Sequence, residues 1–304
     1  MRVVITTIRP PTPCTEAWDR VAATVIVGDA KTPDHAWSGH PGYLSLAEQH
    51  RRWPKLAQMI PTGHYARKNL GYLACLEAGD EWLFETDDDN APVGDVMLMP
   101  PARPTRVARG ASLWTDPYAL HGRPDVWHRG LPATARGFVG QRLAASAHLK
   151  PSAVQFLIEG EPDRCALQRV VERPEGFVHW TQAREDYLLD QGVHAPWNSQ
   201  ATMLRASALR AFYLPCTVIA RLSDILRGYR ALAMGYRLVL SGTVVCRQWP
   251  RNDHDLLRDL RDEYDLVAKR PYLTDDVRSL VAYYGGDPDR EHDTYQEFLR
   301  CSSR

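Results

Sequence analysis

The stretch that most constrains this chain is Trp82-Leu83-Phe84-Glu85-Thr86-Asp87-Asp88-Asp89-Asn90. The apolar run Trp82 to Phe84 reads as the end of a buried strand, and it leads into three consecutive aspartates. Adjacent carboxylates repel one another and are costly to hold at a strand end without a counter-charge. A divalent cation is the simplest one. Mg²⁺ and Mn²⁺ take oxygen ligands, often one or two carboxylates with phosphate oxygens and water. Side chains alternate along an extended segment, so Asp87 and Asp89 are expected on one side and Asp88 on the other. The competing reading is a solvated acidic loop that caps the next element.

The preceding chain supplies a sheet edge for such a site. Arg2 to Ile8 is β-branched and apolar, a first strand, and Pro10-Pro11 halts its pairing. Residues 14–22 fit a short helix with Thr15 as N-cap. Ala23 to Val27 is a second strand, closed by Gly28-Asp29. Two strands joined by a short helical crossover begin a parallel α/β sheet, and such sheets bind ligands at the carboxyl ends of their strands. Thr7, Arg9, Asp29 and the Asp87 to Asp89 run all fall at that edge. Two helical patterns intervene. One covers Leu44 to Met59, with Pro54 as a break. The other runs from Gly63 to Gly79, which reads as a C′ glycine. Its opening, Gly63-His64-Tyr65-Ala66-Arg67-Lys68-Asn69, is dense in donors at a helix start, which favours phosphate. The plainer reading makes Arg67 and Lys68 ordinary exposed helix residues.

Charge and cysteine content narrow the class. The 304 residues carry 37 basic and 37 acidic side chains, so bulk charge does not point to a nucleic-acid partner. No run is long and apolar enough to span a membrane, and Met1 leads straight into a strand pattern without a signal-peptide layout. The six cysteines are scattered, with no Cys-x-x-Cys pair. That argues against a disulfide framework or zinc site and fits a reducing cytoplasm, the expected location.

The second half is less regular. Arg129, in a Pro/Gly-punctuated stretch, either reaches a phosphate or an acceptor or, on the plainer reading, sits on the surface. Ala153 to Ile158 is a strand leading into Glu159-Gly160-Glu161-Pro162-Asp163, and Ala201 to Arg205 is another. Between them, Trp197 offers a flat apolar face and Asn198 and Gln200 offer amide edges, a pairing that suits sugars; the alternative is a turn with a packed tryptophan. Asp224 lies near the start of a helical pattern from Leu222 to Met234. There it either complements the helix dipole or takes the proton from an attacking hydroxyl. Tyr236 to Cys246 is one strand or a hairpin, broken at Ser241-Gly242. Arg251-Asn252-Asp253-His254-Asp255 precedes a helix, Leu256 to Val267, and fits an N-terminal cap. Asp275 to Arg304 reads as helical with a break at Gly285-Gly286, and packs on the domain or mediates self-association.

Taken together, Val25-Ile26-Val27-Gly28-Asp29-Ala30-Lys31-Thr32-Pro33, Tyr65-Ala66-Arg67-Lys68-Asn69-Leu70-Gly71-Tyr72-Leu73 and Glu85-Thr86-Asp87-Asp88-Asp89-Asn90 resemble the STELLO family of glycosyltransferases in order and spacing. Pro196-Trp197-Asn198-Ser199-Gln200, Arg221-Leu222-Ser223-Asp224-Ile225-Leu226-Arg227-Gly228 and the Arg251 to Asp255 segment extend the resemblance over roughly residues 1–265. It implies a GT-A-type nucleotide-diphospho-sugar transferase fold: α/β, with a central, mostly parallel mixed sheet flanked by helices. The domain would span 1–270, with a helical extension over 271–304.

The resemblance also implies roles. Asp89 would be the main ligand of Mn²⁺ or Mg²⁺, and Asp87 would contact the metal or the ribose. Asp88 would join the donor site, Asp29 would read the nucleobase edge, and Thr7 and Arg9 would line the base and phosphate pocket. Arg67 and Lys68 would face the diphosphate, whose charge must be neutralised before it can leave. Trp197, Asn198 and Gln200 would meet the acceptor. Asp224 would be the catalytic base, or would orient the acceptor if configuration is retained. His254 would complete the metal site. The expected activity is metal-dependent transfer of a sugar from a nucleotide-sugar, a UDP-sugar in this reading, to a small-molecule or glycan acceptor, with a homo-oligomer as the expected assembly. Two alternatives stay open: a sugar-nucleotide mutase, because the UDP-arabinopyranose mutases of plants have a similar acidic triplet, and a catalytically inactive nucleotide-sugar or glycan-binding partner protein. The plant members carry a membrane anchor and extra domains that this chain is not expected to share, so their location is not carried over.

Overall fold

Continuous β-branched and apolar runs, buried on both faces, build the centre of the molecule. The computed structural model describes residues 1–94, 96, 98–99, 106–109, 113–144, 151–172, 177–180, 185–248 and 256–303. In it β1 (Arg2–Thr7), β2 (Thr24–Gly28), the short β3 (Tyr43–Leu44) and β4 (Trp82–Asp87) lie parallel in the spatial order β3-β2-β1-β4. Val3, Val4, Ile5, Ile26, Val27, Leu83 and Phe84 have no exposed surface, as expected of parallel strands covered on both sides. Among the described residues the sheet continues through β5 (Asn90–Pro92), β6 (Arg106–Arg109), β7 (Gln141–Ala144), β8 (Ala153–Gly160), β9 (Tyr187–Leu189), β10 (Ala201–Arg205) and β11 (Leu238–Gln248). From β4 the order is β10-β8-β11-β9-β6-β7, and β5 pairs with β11. The architecture is α/β with one large mixed sheet and helices on its faces.

Register decides which residues meet. Thr7 pairs with Gly28 and Thr6 with Asp87, so β1, β2 and β4 end at one edge. β10 runs antiparallel to β4, with Ala201 opposite Thr86, which brings the turn before β10 to that same edge. β11 runs parallel to β8 and ends with Gln248 opposite Gly160. Its register shifts between Leu240 and Val244, so the Ser241-Gly242 break is an irregularity within one strand, not a hairpin turn.

The helices refine several sequence expectations. The first is Pro13–Val21, and its N-cap is Thr12; Thr15 is the third helical residue, reciprocating in a capping box. The Leu44 to Met59 pattern divides into Leu46–Arg52 and Pro54–Met59, broken at Trp53 where proline interrupts the ladder. A 3₁₀ turn, Tyr65–Arg67, leads into the helix Lys68–Glu77. Gly71 lets that helix lie flat on the sheet: a Cβ there would stand 2.5 Å from Val4 Cγ1 and 2.8 Å from Val27 Cγ2. The helix Ala220–Ala233 follows. The single helix expected from Leu256 is two, Leu256–Asp262 and Tyr264–Ala268.

The chain closes with helices Val277–Tyr283 and Pro288–Ser302. Glu291, wholly buried, fastens the last helix to the body. Its carboxylate accepts from the Tyr213 hydroxyl, from the Cys216 and Thr217 amides (2.9 and 2.7 Å) and from Thr217 Oγ1 at 2.8 Å. Among the described residues no helix is long and apolar enough to cross a membrane. None of the six cysteines, all described and all buried, is in a disulfide.

Candidate functional site

At the shared edge of β1, β2 and β4 opens a cleft of about 440 Å³, lined by Thr7, Arg9, Asp29, Lys31, His64, Tyr65, Asp87, Asp88 and neighbours. The acidic turn at its end is held from several sides. Thr7 Oγ1 donates to Asp88 Oδ2 at 2.7 Å, Thr12 Oγ1 to the Asp88 carbonyl at 2.8 Å, and Trp18 Nε1 to the Asn90 carbonyl at 2.7 Å. Asp87 turns the other way and accepts from Lys68 Nζ at 3.0 Å. Asp89 accepts from Asn90 Nδ2 at 3.2 Å and from Gln248 Nε2 at 3.3 Å. The turn's negative field reaches nearby thiols. Burial first, then Asp89 and Asp88, push the Cys14 thiol up to about 11.

These donors suit a hard cation. Carboxylate oxygens flanked by side-chain amides match Mg²⁺ or Mn²⁺ and not a thiolate-seeking metal. Among the described residues no group of three or more His, Cys, Asp and Glu closes around one point. Asp87 and Asp89 could hold such an ion only with phosphate oxygens and water completing its shell. His254, expected to complete the site, lies outside the described residues.

The cations divide sharply. Lys68 has no exposed surface, and Nζ donates to Asp87 Oδ1 and to the Thr86 and Ser199 carbonyls at 3.1 Å each. An ammonium has three donors, so Lys68 is saturated by the protein. Arg67, also buried, turns its guanidinium into the core, with Nε on Gln49 Oε1 and Nη1 on the Ile60 carbonyl, both at 2.9 Å. Neither is the exposed helix residue that spacing suggests, and neither holds free donors toward a diphosphate; Arg67 lines the cleft and Lys68 is wholly buried. Arg9 and Lys31, by contrast, are exposed at the cleft with no side-chain partner among the described residues. Lys31 was not singled out from the sequence; its signal was its position just after the Gly28-Asp29-Ala30 strand end. Asp29 accepts from the Ala30 amide at 2.6 Å and the Gly63 amide at 2.8 Å, tying β2 to the turn before Tyr65. His64 lies across that turn. Its Nε2 faces the Val218 carbonyl at 2.8 Å and so carries the proton, while Nδ1 accepts from Ala66. Burial holds its pKa below the usual histidine value.

A second, smaller pocket of about 50 Å³ shares Tyr65 and Asp87 with the cleft and is otherwise lined by polar groups, among them Asn198, Gln200, Gln248, Arg169 and Arg221. Its floor is a carboxylate–guanidinium–carboxylate bridge. Arg129 donates from Nε to Asp163 Oδ1 and Oδ2 at 2.9 and 3.0 Å, and from Nη1 and Nη2 to the two oxygens of Asp224 at 2.9 Å each. Arg129 is thus buried, not on the surface, and Asp163, at the end of the Glu159 to Asp163 segment, joins it at the site. Asn198 Nδ2 donates to Asp163 Oδ2 at 2.9 Å, and the Ser199 amide to Asp224 Oδ2 at 3.2 Å. Burial raises both carboxyls, but Arg129 more than reverses it and holds them below the usual carboxylate range. Both oxygens of Asp224 are engaged by Arg129. Trp197 departs from expectation as well. It is 1% exposed, with the Arg227 guanidinium 4.6 Å over its ring and Phe212 against its edge, so it offers no open face to a sugar.

A mixed α/β sheet flanked by helices, with its acidic turn at the carboxyl edge, defines the GT-A-like glycosyltransferase fold. No family model matches the chain. It is 25% identical over 303 residues to "Probable glycosyltransferase STELLO1" of Arabidopsis thaliana, covering 91% of this chain and 37% of that protein. It is also 25% identical over 221 residues to "Probable glycosyltransferase STELLO2" of the same plant, covering 67% of this chain and 29% of that protein. The chain therefore spans about a third of the length of these curated relatives. Its similarity to the STELLO family, read first from separate motifs, extends along most of the chain.

Proposed function

We propose that this chain is a metal-dependent glycosyltransferase that moves a sugar from a nucleotide-sugar, in this reading a UDP-sugar, to an acceptor hydroxyl. One observation carries the reading: the ends of β1, β2 and β4 meet around a cleft with two open cations at its side and an acidic turn at its end. Asp87 and Asp89 would hold Mn²⁺ or Mg²⁺. When bound, that ion offsets the charge of the diphosphate leaving group. Arg9 and Lys31 add positive charge where phosphates would lie, Asp29 faces the base, and Thr7 keeps Asp88 turned away from the ion. Asn198 and Gln200 meet the sugar and the hydroxyl that attacks it, and Asp224 keeps that wall in place through Arg129 and Ser199.

The test is thermal melting with UDP and Mn²⁺, separately and together. A ligand that binds only the folded state raises the melting temperature by mass action, so the pair should raise it where neither does alone. In Asp89→Asn the metal-dependent affinity should fall by at least the roughly 10–100-fold that losing even an outer-shell partner costs. A screen of nucleoside diphosphates with Mn²⁺ that leaves the melt unmoved would remove the reading. The engagement of both Asp224 oxygens by Arg129 leaves a second reading, a binding protein without turnover. Slow donor hydrolysis by the wild type, in the absence of acceptor, separates the transferase from that alternative.

A further inference from the structure

Two buried polar side chains of the small pocket beyond Asp87 have atoms with no hydrogen-bond partner among the described residues. One is Gln200, at Oε1. Gln200 is 7% exposed, and its Nε2 donates to Gln248 Oε1 and, at 3.3 Å, to Asn90 Oδ1, but its Oε1 accepts from nothing among the described residues. The other is the guanidinium of Arg169, on the helix Ala166–Val171. That side chain is 10% exposed, and its carboxylate neighbours, Glu161 at 3.7 Å and Asp259 at 3.8 Å, stand beyond hydrogen-bond reach. Its Nε and Nη1 have no hydrogen-bond partner among the described residues. The other two guanidiniums of this pocket are hydrogen-bonded to carboxylates, Arg129 to Asp163 and Asp224 and Arg221 to Glu263. Arg169 is the exception.

A buried donor or acceptor left unpaired carries its full desolvation cost, so an orphaned donor and an orphaned acceptor on the walls of one pocket mark places for a ligand's atoms. The first needs an acceptor and the second needs a donor; hydroxyl groups supply both. At about 50 Å³ the pocket has room for roughly three or four waters, enough for a few hydroxyl groups but not for a whole sugar ring, which would lie partly in the cleft. It opens to the nucleotide cleft at Asp87 and Tyr65. Arg129 alone answers two carboxylates, so the floor has no spare positive charge for an acidic sugar. Resting on the nucleotide-sugar reading above, the structure assigns Arg169 as a specificity-determining residue: it donates to a hydroxyl oxygen of a neutral glycosyl group on the donor, and a second hydroxyl of that group donates to Gln200 Oε1.

Calorimetric titration with Mn²⁺ and either UDP, UDP-glucose, UDP-galactose, UDP-xylose or UDP-glucuronate tests this in the wild type, Arg169→Gln and Arg169→Lys. The wild type should bind at least one neutral UDP-sugar more tightly than UDP, and more tightly than UDP-glucuronate. Arg169→Gln should keep UDP affinity within about twofold, which also reports an intact fold, and lose about tenfold or more for the neutral sugar. Arg169→Lys keeps the charge beside Glu161 and Asp259 but lacks the planar fork; it should show the same selective loss, and it decides the matter if the glutamine variant does not fold. The assignment is overturned if the variants keep the wild-type ratio of UDP-sugar to UDP affinity, if UDP-glucuronate is the tightest ligand, or if no sugar adds to the affinity of UDP. If the wild type binds neither UDP nor any UDP-sugar, the transferase reading itself fails and the assignment goes with it.

Discussion

Arg9 and Lys31 at the mouth of the cleft carry the same charge as Lys68, Arg129 and Arg227 beneath it, in opposite circumstances. The first two are exposed and have no side-chain acceptor among the described residues. The other three are buried and answer protein acceptors: Lys68 to Asp87, Arg129 to Asp163 and Asp224, Arg227 to Glu85, Tyr72 and the Asn198 carbonyl. A buried cation survives only with its counter-charges in place. What it holds together it cannot also offer to a ligand. Residue type and spacing therefore do not say which cations a phosphate will meet; burial does.

The largest test of this division is Arg227→Met. It leaves Glu85, which has no exposed surface, as an unpaired carboxylate in the core. Breaking one side of such a pair costs about 3–5 kcal/mol, readable by urea denaturation, and a loss under about 1 kcal/mol would end the distinction. An effect of the same order, about 3–5 kcal/mol at neutral pH, is expected for Arg129→Met, which strands Asp163 and Asp224 and where the pH dependence is the sharper readout. In the wild type, Asp163 and Asp224 have folded-state pKa values below their unfolded value of about 3.9. Their contribution is present above that value and is lost as pH falls through the folded values. Without Arg129, burial, the largest cause at both groups, outweighs the lesser pull of Arg221 on Asp163 and of Arg227 on Asp224 and lifts the folded values above the unfolded one, so the sign reverses. The variant should be more stable at about pH 5 than at about pH 8. Urea midpoints at the two pH values that keep the wild-type order would show that Arg129 is not the counter-charge. The smallest effects belong to the open pair. Arg9→Gln and Lys31→Gln should each shift stability by no more than about 0.5 kcal/mol. Each should weaken Mn²⁺-dependent UDP binding severalfold, with the deficit shrinking in high salt. An Arg9→Gln protein that unfolds well below the wild type would place Arg9 with the buried set.

Much of the first half was legible because its signals are local. β1, β2 and β4 are continuous apolar runs with turn residues after them, and the rule that parallel sheets bind ligands at their carboxyl ends brings Thr7, Asp29 and Asp87 to one edge. Pro54 announced its break for the same reason. Where the meaning lay in a distant partner, the sequence was silent or misleading. Arg129 and Asp224 are 95 positions apart, and nothing near Arg129 tells a buried bridge from a surface arginine. Lys68 looked like a phosphate ligand because Thr86, Asp87 and Ser199, the groups that saturate it, come from β4 and from the turn before β10. Trp197 looked like a sugar platform because the residue that covers it, Arg227, lies on another element. The Thr12 cap was missed by one turn: a threonine at each end of a capping box fits the same pattern in either direction.

Glu291 gives the end of the chain a reach its position does not suggest. By gathering Tyr213, Cys216 and Thr217 it sets the course of the loop that carries Val218, and the carbonyl of Val218 is what His64 grips. His64 in turn starts the turn that delivers Tyr65 to the cleft. The tail is therefore a keystone for a wall far from it in sequence, and trimming the last helix would unsettle the rim where the nucleotide is proposed to sit before it touched the sheet behind.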